Sequence, residues 1–184
     1  MGNKIYKIAA ENARLLDGWR TPRWLFDKLN GVFDFDFDMC ASDENHLCSN
    51  YFTASDDAAT AQLPENARSI FCNPPFSGKT KQKILERASD IVHSGRKIVF
   101  VLSANLSDTF FYDLIHRSAD RVLVINGEIG LMIVVFDGSS EIEFDRAWGL
   151  CKTKINFITH KDLLDTEIAE LNEMLAPSGV NLWG

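Results

Sequence analysis

No stretch of the 184-residue chain is apolar and uncharged for the roughly 18 residues that a membrane span needs. Its first residues, Met1-Gly2-Asn3-Lys4-Ile5-Tyr6-Lys7, lack the apolar core of an export signal. The expectation is a cytoplasmic protein with no membrane partner. Proline and glycine are scarce, at 5 and 11, which excludes collagenous and low-complexity chains. Cysteine is scarcer still. Cys40, Cys48, Cys72 and Cys151 show no CxxC spacing and no neighbouring cluster of histidines, so no metal site is expected. All four are read as reduced thiols, Cys40 and Cys72 as small hydrophobes at strand ends. Positive charge is short too: 19 basic against 26 acidic residues leave −7. That excludes nonspecific nucleic-acid binding over the whole surface, though not a local basic stripe.

What remains is an ordinary globular composition, 46% hydrophobic and 24% charged, at the length of one domain. Residues 1–184 are read as that domain. Thr21-Pro22 reads as a helix start, a capping hydroxyl before a proline, and Asn30-Gly31 as its stop. Phe33-Asp34-Phe35-Asp36-Phe37-Asp38-Met39 alternates with period 2, which predicts a strand with its aromatics on one face. Further strands are predicted at 51–53, 69–72, 97–102, 121–125, 131–136 and 153–158. A helix carrying Ile84, Ala88 and Ile91 ends at Gly95, another starts at Ser107, and a last one places Leu164, Ile168, Leu171 and Leu175 on one stripe. Strands alternating with helices, then two strands joined without one, predict an α/β fold. Its sheet is seven-stranded and mostly parallel, with an antiparallel pair near the C-terminus and helices on both faces.

The most specific signal is Asn73-Pro74-Pro75-Phe76, directly after the compact strand Ser69-Ile70-Phe71-Cys72. Two prolines remove two backbone donors and leave carbonyls free. An Asn oxygen beside the Pro74 carbonyl makes a pair of acceptors fit for both hydrogens of an amino group, and Phe76 offers a ring to stack on. In open α/β sheets the ligand crevice lies at the carboxyl ends of the strands. Asp38-Met39-Cys40-Ala41-Ser42 ends the first strand and would open on the same edge, with Asp38 placed for an ammonium or ribose hydroxyl. Asp34 and Asp36 are read as a solvated polar face rather than metal ligands.

Taken in order, Trp19-Arg20-Thr21-Pro22, Asp38-Met39-Cys40-Ala41-Ser42 with Asn45, Tyr51-Phe52-Thr53, Cys72-Asn73-Pro74-Pro75-Phe76-Ser77 and Val101-Leu102-Ser103-Ala104 resemble the phage-type DNA N6-adenine methyltransferases. The resemblance covers about residues 19 to 105. It implies the class I, Rossmann-like methyltransferase fold and S-adenosylmethionine as cofactor. Residue by residue it implies Thr21 and Pro22 in the N-terminal cofactor motif, and Asp38, Cys40 and Ala41 in the loop against the methionine part. Asp57 would meet the adenosine, and Asn73, Pro74, Pro75 and Phe76 form the catalytic motif, with Asn73 also beside the cofactor. The implied reaction is methylation of the adenine N6 amino group in DNA, the base being flipped out of the duplex to be reached. The implied partner is double-stranded DNA with low or short sequence specificity, in a bacterial host's cytoplasm if the chain is phage-encoded. Gly78-Lys79-Thr80-Lys81-Gln82-Lys83 supplies local positive charge, and Lys79, Lys81 and Arg20 are the expected phosphate contacts.

After residue 105 the likeness thins. Glu128 stands where the family carries an arginine, and little chain is left for a separate target-recognition domain. Two other readings stay open from sequence: methylation of RNA or of a protein glutamine, and a non-catalytic scaffold that binds DNA or a protein.

Overall fold

The computed structural model describes residues 17–76, 78–104, 114–115, 118–126, 130–139 and 154–175. The runs Ile98-Val99-Phe100-Val101-Leu102, Val122-Leu123-Val124-Ile125 and Met132-Ile133-Val134-Val135 have no polar face, and a strand of that kind needs cover on both sides. They form the middle of a six-stranded sheet: β1 (Phe37–Asp38), β2 (Ser69–Cys72), β3 (Lys97–Ser103), β4 (Arg121–Asn126), β5 (Leu131–Phe136) and β6 (Lys154–Thr159), in spatial order β1-β2-β3-β5-β4-β6. The pairs β1–β2, β2–β3 and β4–β6 are parallel, while β5 pairs antiparallel with both β3 and β4. Strand β5 alone runs against the rest. Helices α1 (Arg23–Phe33), α2 (Gly78–Glu86), α3 (Ala88–His93), α4 (His160–Asp165) and α5 (Ile168–Met174) complete the described elements, with one 3-10 turn at Ala54–Asp56.

Alternation along the strands splits the core in two. Ile98, Phe100, Leu102, Met132, Val134 and Val124 face Ile84, Ala88 and Ile91 of α2 and α3. Val99, Val101, Ile133, Val135 and Leu123 face Leu25, Phe26 and Leu29 of α1 with Leu163 and Leu171 of α4 and α5. Helices therefore cover both faces, as expected.

Several expectations need correction. The seventh strand is absent among the described residues: Tyr51 makes one bridge to Asp38, because β1 is too short to extend the pairing. The alternating segment 33–39 is not one strand. Phe33 ends α1, and Asp34 takes a left-handed conformation (φ 52°) that caps the helix onto the Asn30 carbonyl. Phe33 and Phe35, on either side of that turn, stack in one core half, while Phe37 and Met39 enter the other. Asp36 is not merely solvated. Its carboxylate accepts the backbone N–H of Arg68 at 2.9 Å and of Ser69 at 3.2 Å, which fixes the start of β2.

Helix α1 has Pro22, not Thr21, at its N-cap and no side-chain capping bond, and it runs past Gly31. The glycine faces α5, where a Cβ would lie 2.8 Å from Ile168 Cδ1. The helix expected to end at Gly95 is two helices, with Arg87 between them, and Gly95 follows at φ +78°. The last helix likewise divides at Thr166-Glu167. Leu163, Leu171 and Leu175 are buried, and Leu164 and Ile168 are about half exposed. The start expected at Ser107, the stop at Pro177, Cys151 and Glu128 lie outside the described residues. Among the described residues no helix is long and apolar enough to cross a membrane, and no group of His, Cys, Asp and Glu could hold a metal.

Candidate active site

Because β1, β2 and β3 are parallel, the chain leaves all of them at one edge of the sheet. There the segments after β1 and β2, the turn at 53–58 and the chain before α1 enclose a cavity of about 260 Å³. Met39, Cys40 and Ala41 form one wall, and Asn73, Pro74, Pro75 and Phe76 form the facing one. The two walls are tied through the strands, with the Met39 N–H donating to the Phe71 carbonyl at 2.8 Å.

Asn73 is the most informative side chain. Its amide nitrogen donates to the Trp19 carbonyl at 3.4 Å, and a carbonyl, being only an acceptor, fixes which end of the amide faces it. Asn73 Oδ1 is thereby turned the other way, buried and without a hydrogen-bond partner among the described residues. An unmet buried acceptor costs on the order of 1–3 kcal/mol, which a ligand donor would recover. Phe76 is buried, its ring stacked on Trp19 with centroids 5.8 Å apart and planes at 26°. The aromatic wall expected of Phe76 alone is thus a pair, with half-buried Trp19 as its outer member.

Asp38 is on the edge but not on the cavity wall. It is 2% exposed, and its two oxygens accept the N–H of Cys40 at 3.3 Å and of Leu47 at 3.1 Å, so it braces the loop that carries Cys40 and Ala41. Burial pushes its carboxyl up to about 6, against the pull of those two N–H groups and of His46. Asn45 stiffens the same loop by accepting the Ser42 N–H at 2.6 Å. Thr21 and Pro22 do not line the cavity. Thr21 is buried, and its hydroxyl has no partner among the described residues.

Asp57 does line it, in a left-handed turn (φ 54°) after a capping box in which Asp56 accepts the Thr53 N–H at 2.7 Å. Arg87 holds this turn from below, donating to the carbonyls of Ala58 and, at 2.7 Å, Ala61. Asp17 and Asp57 are on the lining, and no lysine or arginine is, among the described residues. Such a wall suits a ligand with positive charge and disfavours a phosphate.

Of the residues expected to meet DNA, Lys79 and Arg20 are exposed. Lys81 is not: the phase of α2 turns it inward with Ile84 and Leu85, and it is 7% exposed, so it is withdrawn as a phosphate contact. Thr80, next to it, reaches the cavity lining, as do Asp17, Asn45, Thr53, Ala54 and Ala58. None of these was named as a site residue from sequence: Thr80 arrives on α2, and the others on the segments before α1 and after β1. Trp19, Asn45 and Thr53 had a signal, as parts or flanks of the segments that carry the family resemblance.

Comparison with known proteins gives the same direction. The model of the family described as DNA N-6-adenine-methyltransferase (Dam) matches residues 10–166. A protein named DNA N-6-adenine-methyltransferase from Escherichia phage T1 is 22% identical over 125 residues, covering 67% of this chain and 51% of the relative. A protein of Escherichia coli (strain K12) named "Putative methyltransferase YfdM" is 35% identical over 75 residues, covering 38% of this chain and 82% of the relative. The chain thus spans about half the length of the phage relative it matches.

Proposed function

The chain belongs to the DNA N-6-adenine-methyltransferase (Dam) family, and from that premise we propose that it transfers a methyl group from S-adenosylmethionine to the N6 amino group of adenine in DNA. The observation that carries this reading is Asn73 Oδ1, a buried acceptor without a partner on the wall of the cavity. Beside it Pro74 supplies a carbonyl, and Pro75 contributes no N–H that could compete for either oxygen. Two acceptors side by side fit an exocyclic amine, which carries two hydrogens.

The cavity residues also fit the cofactor. Ala41, Ala54 and Ala58 leave room for close approach, and the Asp17 and Asp57 carboxylates favour a cation. Met39, Cys40, Ala41, Asp57 and Asn73 would hold it, with Asp38 acting through the loop it braces. Bound there, S-adenosylmethionine supplies an electrophilic methyl group on a sulfonium.

The protein's part is orientation and fixed dipoles. An adenine amino nitrogen is a weak nucleophile because its lone pair is shared with the ring. Asn73 Oδ1 and the Pro74 carbonyl accept its hydrogens, which favours a more tetrahedral nitrogen and aims the lone pair at the cofactor side of the cavity. The proton released from the methylated amine has the same two oxygens as first acceptors on its way to water. Trp19 and Phe76 give the base an aromatic wall once it is flipped from the duplex. Lys79 and Arg20, outside the cavity, meet the flanking phosphates.

The test is transfer of labelled methyl from S-adenosylmethionine to unmethylated duplex DNA, with nucleosides identified by mass spectrometry and Asn73→Ala run beside the wild type. The expected result is N6-methyladenine from the wild type and none from the variant, with cofactor affinity kept within a few-fold. Label in RNA or protein but not DNA overturns the substrate. Full turnover by Asn73→Ala overturns the role of the amide.

A further inference from the structure

The cavity wall contains a second reactive group that methyl transfer does not use. Cys40 Sγ and Cys72 Sγ lie 3.5 Å apart, in contact but unbonded, at the ends of the neighbouring strands β1 and β2. Cys40 is half-buried and lines the cavity, while Cys72 is fully buried and immediately precedes Asn73. The geometry points to an oxidisable thiol pair: a hydroperoxide entering the cavity joins Cys40 to Cys72 as a disulfide and closes the site to its cofactor.

Cys40 is the sulfur a peroxide can reach, because the cavity opens onto it and the sheet encloses Cys72. The Cys40 sulfur attacks one peroxide oxygen, the O–O bond breaks, and a sulfenic acid forms with one water from hydrogen peroxide or one alcohol from an organic hydroperoxide. Cys72 then attacks the sulfenic sulfur; the S–S bond forms, the S–O bond breaks, and the hydroxyl leaves as water with the Cys72 proton. Two thiols are oxidised by two electrons and one hydroperoxide is reduced, so no further reactant is needed. Burial pushes the Cys72 thiol up, which disfavours it as the first attacker, and the 3.5 Å contact with Cys40 is what places it for the second step.

The other described cysteine is badly placed to compete. Cys48 is buried, donates to the Phe35 carbonyl at 3.9 Å, and has its thiol pushed up to about 12 by burial and by the Asp38 and Asp36 charges.

A disulfide needs its sulfurs about 2.05 Å apart. The approach must come from the Cys40 side, since β2 is held between β1 and β3 while Cys40 stands just beyond the end of β1. Moving Cys40 inward drags a wall whose positions are set by the Cys40 N–H on Asp38 and the Ala41 N–H on Phe52. Loss of cofactor binding rests on the proposed reading of the cavity; formation of the bond does not.

The experiment treats the full chain with hydrogen peroxide, maps the disulfide by peptide mass spectrometry, and measures S-adenosylmethionine affinity by calorimetry before and after. The expected result is a Cys40–Cys72 cross-link with the loss of two hydrogens and cofactor affinity weaker by roughly tenfold or more. A thiol reductant should restore affinity. Prior saturation with S-adenosylmethionine should slow the reaction, and Cys72→Ala should bind cofactor normally before treatment and give no cross-link, its oxidation stopping at Cys40. Peroxide converting Cys40 to a sulfinic acid with Cys72 untouched overturns the pairing, a result read on the wild type whatever the variant's stability. A mapped cross-link with unchanged affinity overturns the closure. A cross-link in a protein whose reduced form binds no S-adenosylmethionine supports the pairing and overturns the methyltransferase reading instead.

Discussion

Replacing Asp38 by asparagine tests how the loop at the cavity wall is held, and the outcome depends on pH. The carboxyl is 2% exposed and its oxygens take the N–H groups of Cys40 and Leu47. Burial raises it from 3.8 to about 6, so the folded state holds the Asp38 proton more tightly than the unfolded chain does. The stability this group contributes is therefore fully present below 3.8 and is lost as pH rises through about 6. The whole interval is worth about 3 kcal/mol at 1.36 kcal/mol per pH unit. Asparagine removes the titration, yet it offers one acceptor where two N–H groups diverge, so its amino group must face one of them at a cost of about 1–3 kcal/mol. At neutral pH the two effects oppose, and Asp38→Asn should stand close to the wild type. Near pH 4 only the cost remains, and the variant should fall behind. Between about pH 4 and pH 7 the stability difference should change by about 2 kcal/mol. Urea unfolding across that range measures it, and carboxyl NMR reads the titration directly. A difference that stays constant with pH, or an Asp38 carboxyl titrating at or below its ordinary value, would refute the reasoning.

Three further expectations follow from contacts away from the catalytic motif. Asp36→Ala should cost about 1.5–3 kcal/mol by freeing the N–H groups of Arg68 and Ser69, and amide exchange should quicken at those two residues first. Arg87→Ala should lower stability by a similar amount and weaken S-adenosylmethionine binding, because the carbonyls of Ala58 and Ala61 lose their donors. Arg87→Lys should recover little of either, since one ammonium lacks the guanidinium fork, and calorimetry beside urea unfolding checks both. Gly31→Ala should destabilise despite a helix preference of up to about 1 kcal/mol, because the new Cβ meets Ile168. In an Ile168→Ala background the same change should stabilise, and thermal melts of the four proteins decide it.

What could be read from sequence was what is decided locally. The runs at 98–102, 122–125 and 132–135 have no polar face, so their burial follows from composition, and the structure buries every one of those residues. A tetrapeptide with two prolines after a buried strand must leave the sheet there, which is why Asn73-Pro74-Pro75-Phe76 could be placed at an edge before its surroundings were known. The failures share a different cause. The segment 33–39 looked like one face of a strand, but its first residue ends a helix that the left-handed Asp34 caps, and Phe35 and Phe37 enter opposite halves of the core. Lys81 was read for its charge, and the register of α2 against the sheet decides its burial. Gly31 looked like a stop, and its use is clearance for Ile168, far along the chain. Each is settled by a partner that lies elsewhere in the chain or by a phase the local pattern does not contain.

The same distinction explains how the candidate site is built. The chemistry-bearing oxygen belongs to Asn73, within a motif, but its direction comes from the Trp19 carbonyl, 54 residues earlier. Trp19 also closes the face of Phe76. One residue outside the motif thus orients the amide and completes the aromatic wall, so docking of the segment before α1 and formation of the acceptor pair are a single event. Loss of the Trp19 ring alone should therefore lower the rate of transfer more than it lowers cofactor affinity, because the carbonyl that holds Asn73 is placed by that ring. Trp19→Phe should restore much of what Trp19→Ala removes, since a smaller ring can still stack on Phe76. Equal losses of rate and affinity in Trp19→Ala, with no recovery by phenylalanine, would mean that Asn73 keeps its direction without the stack.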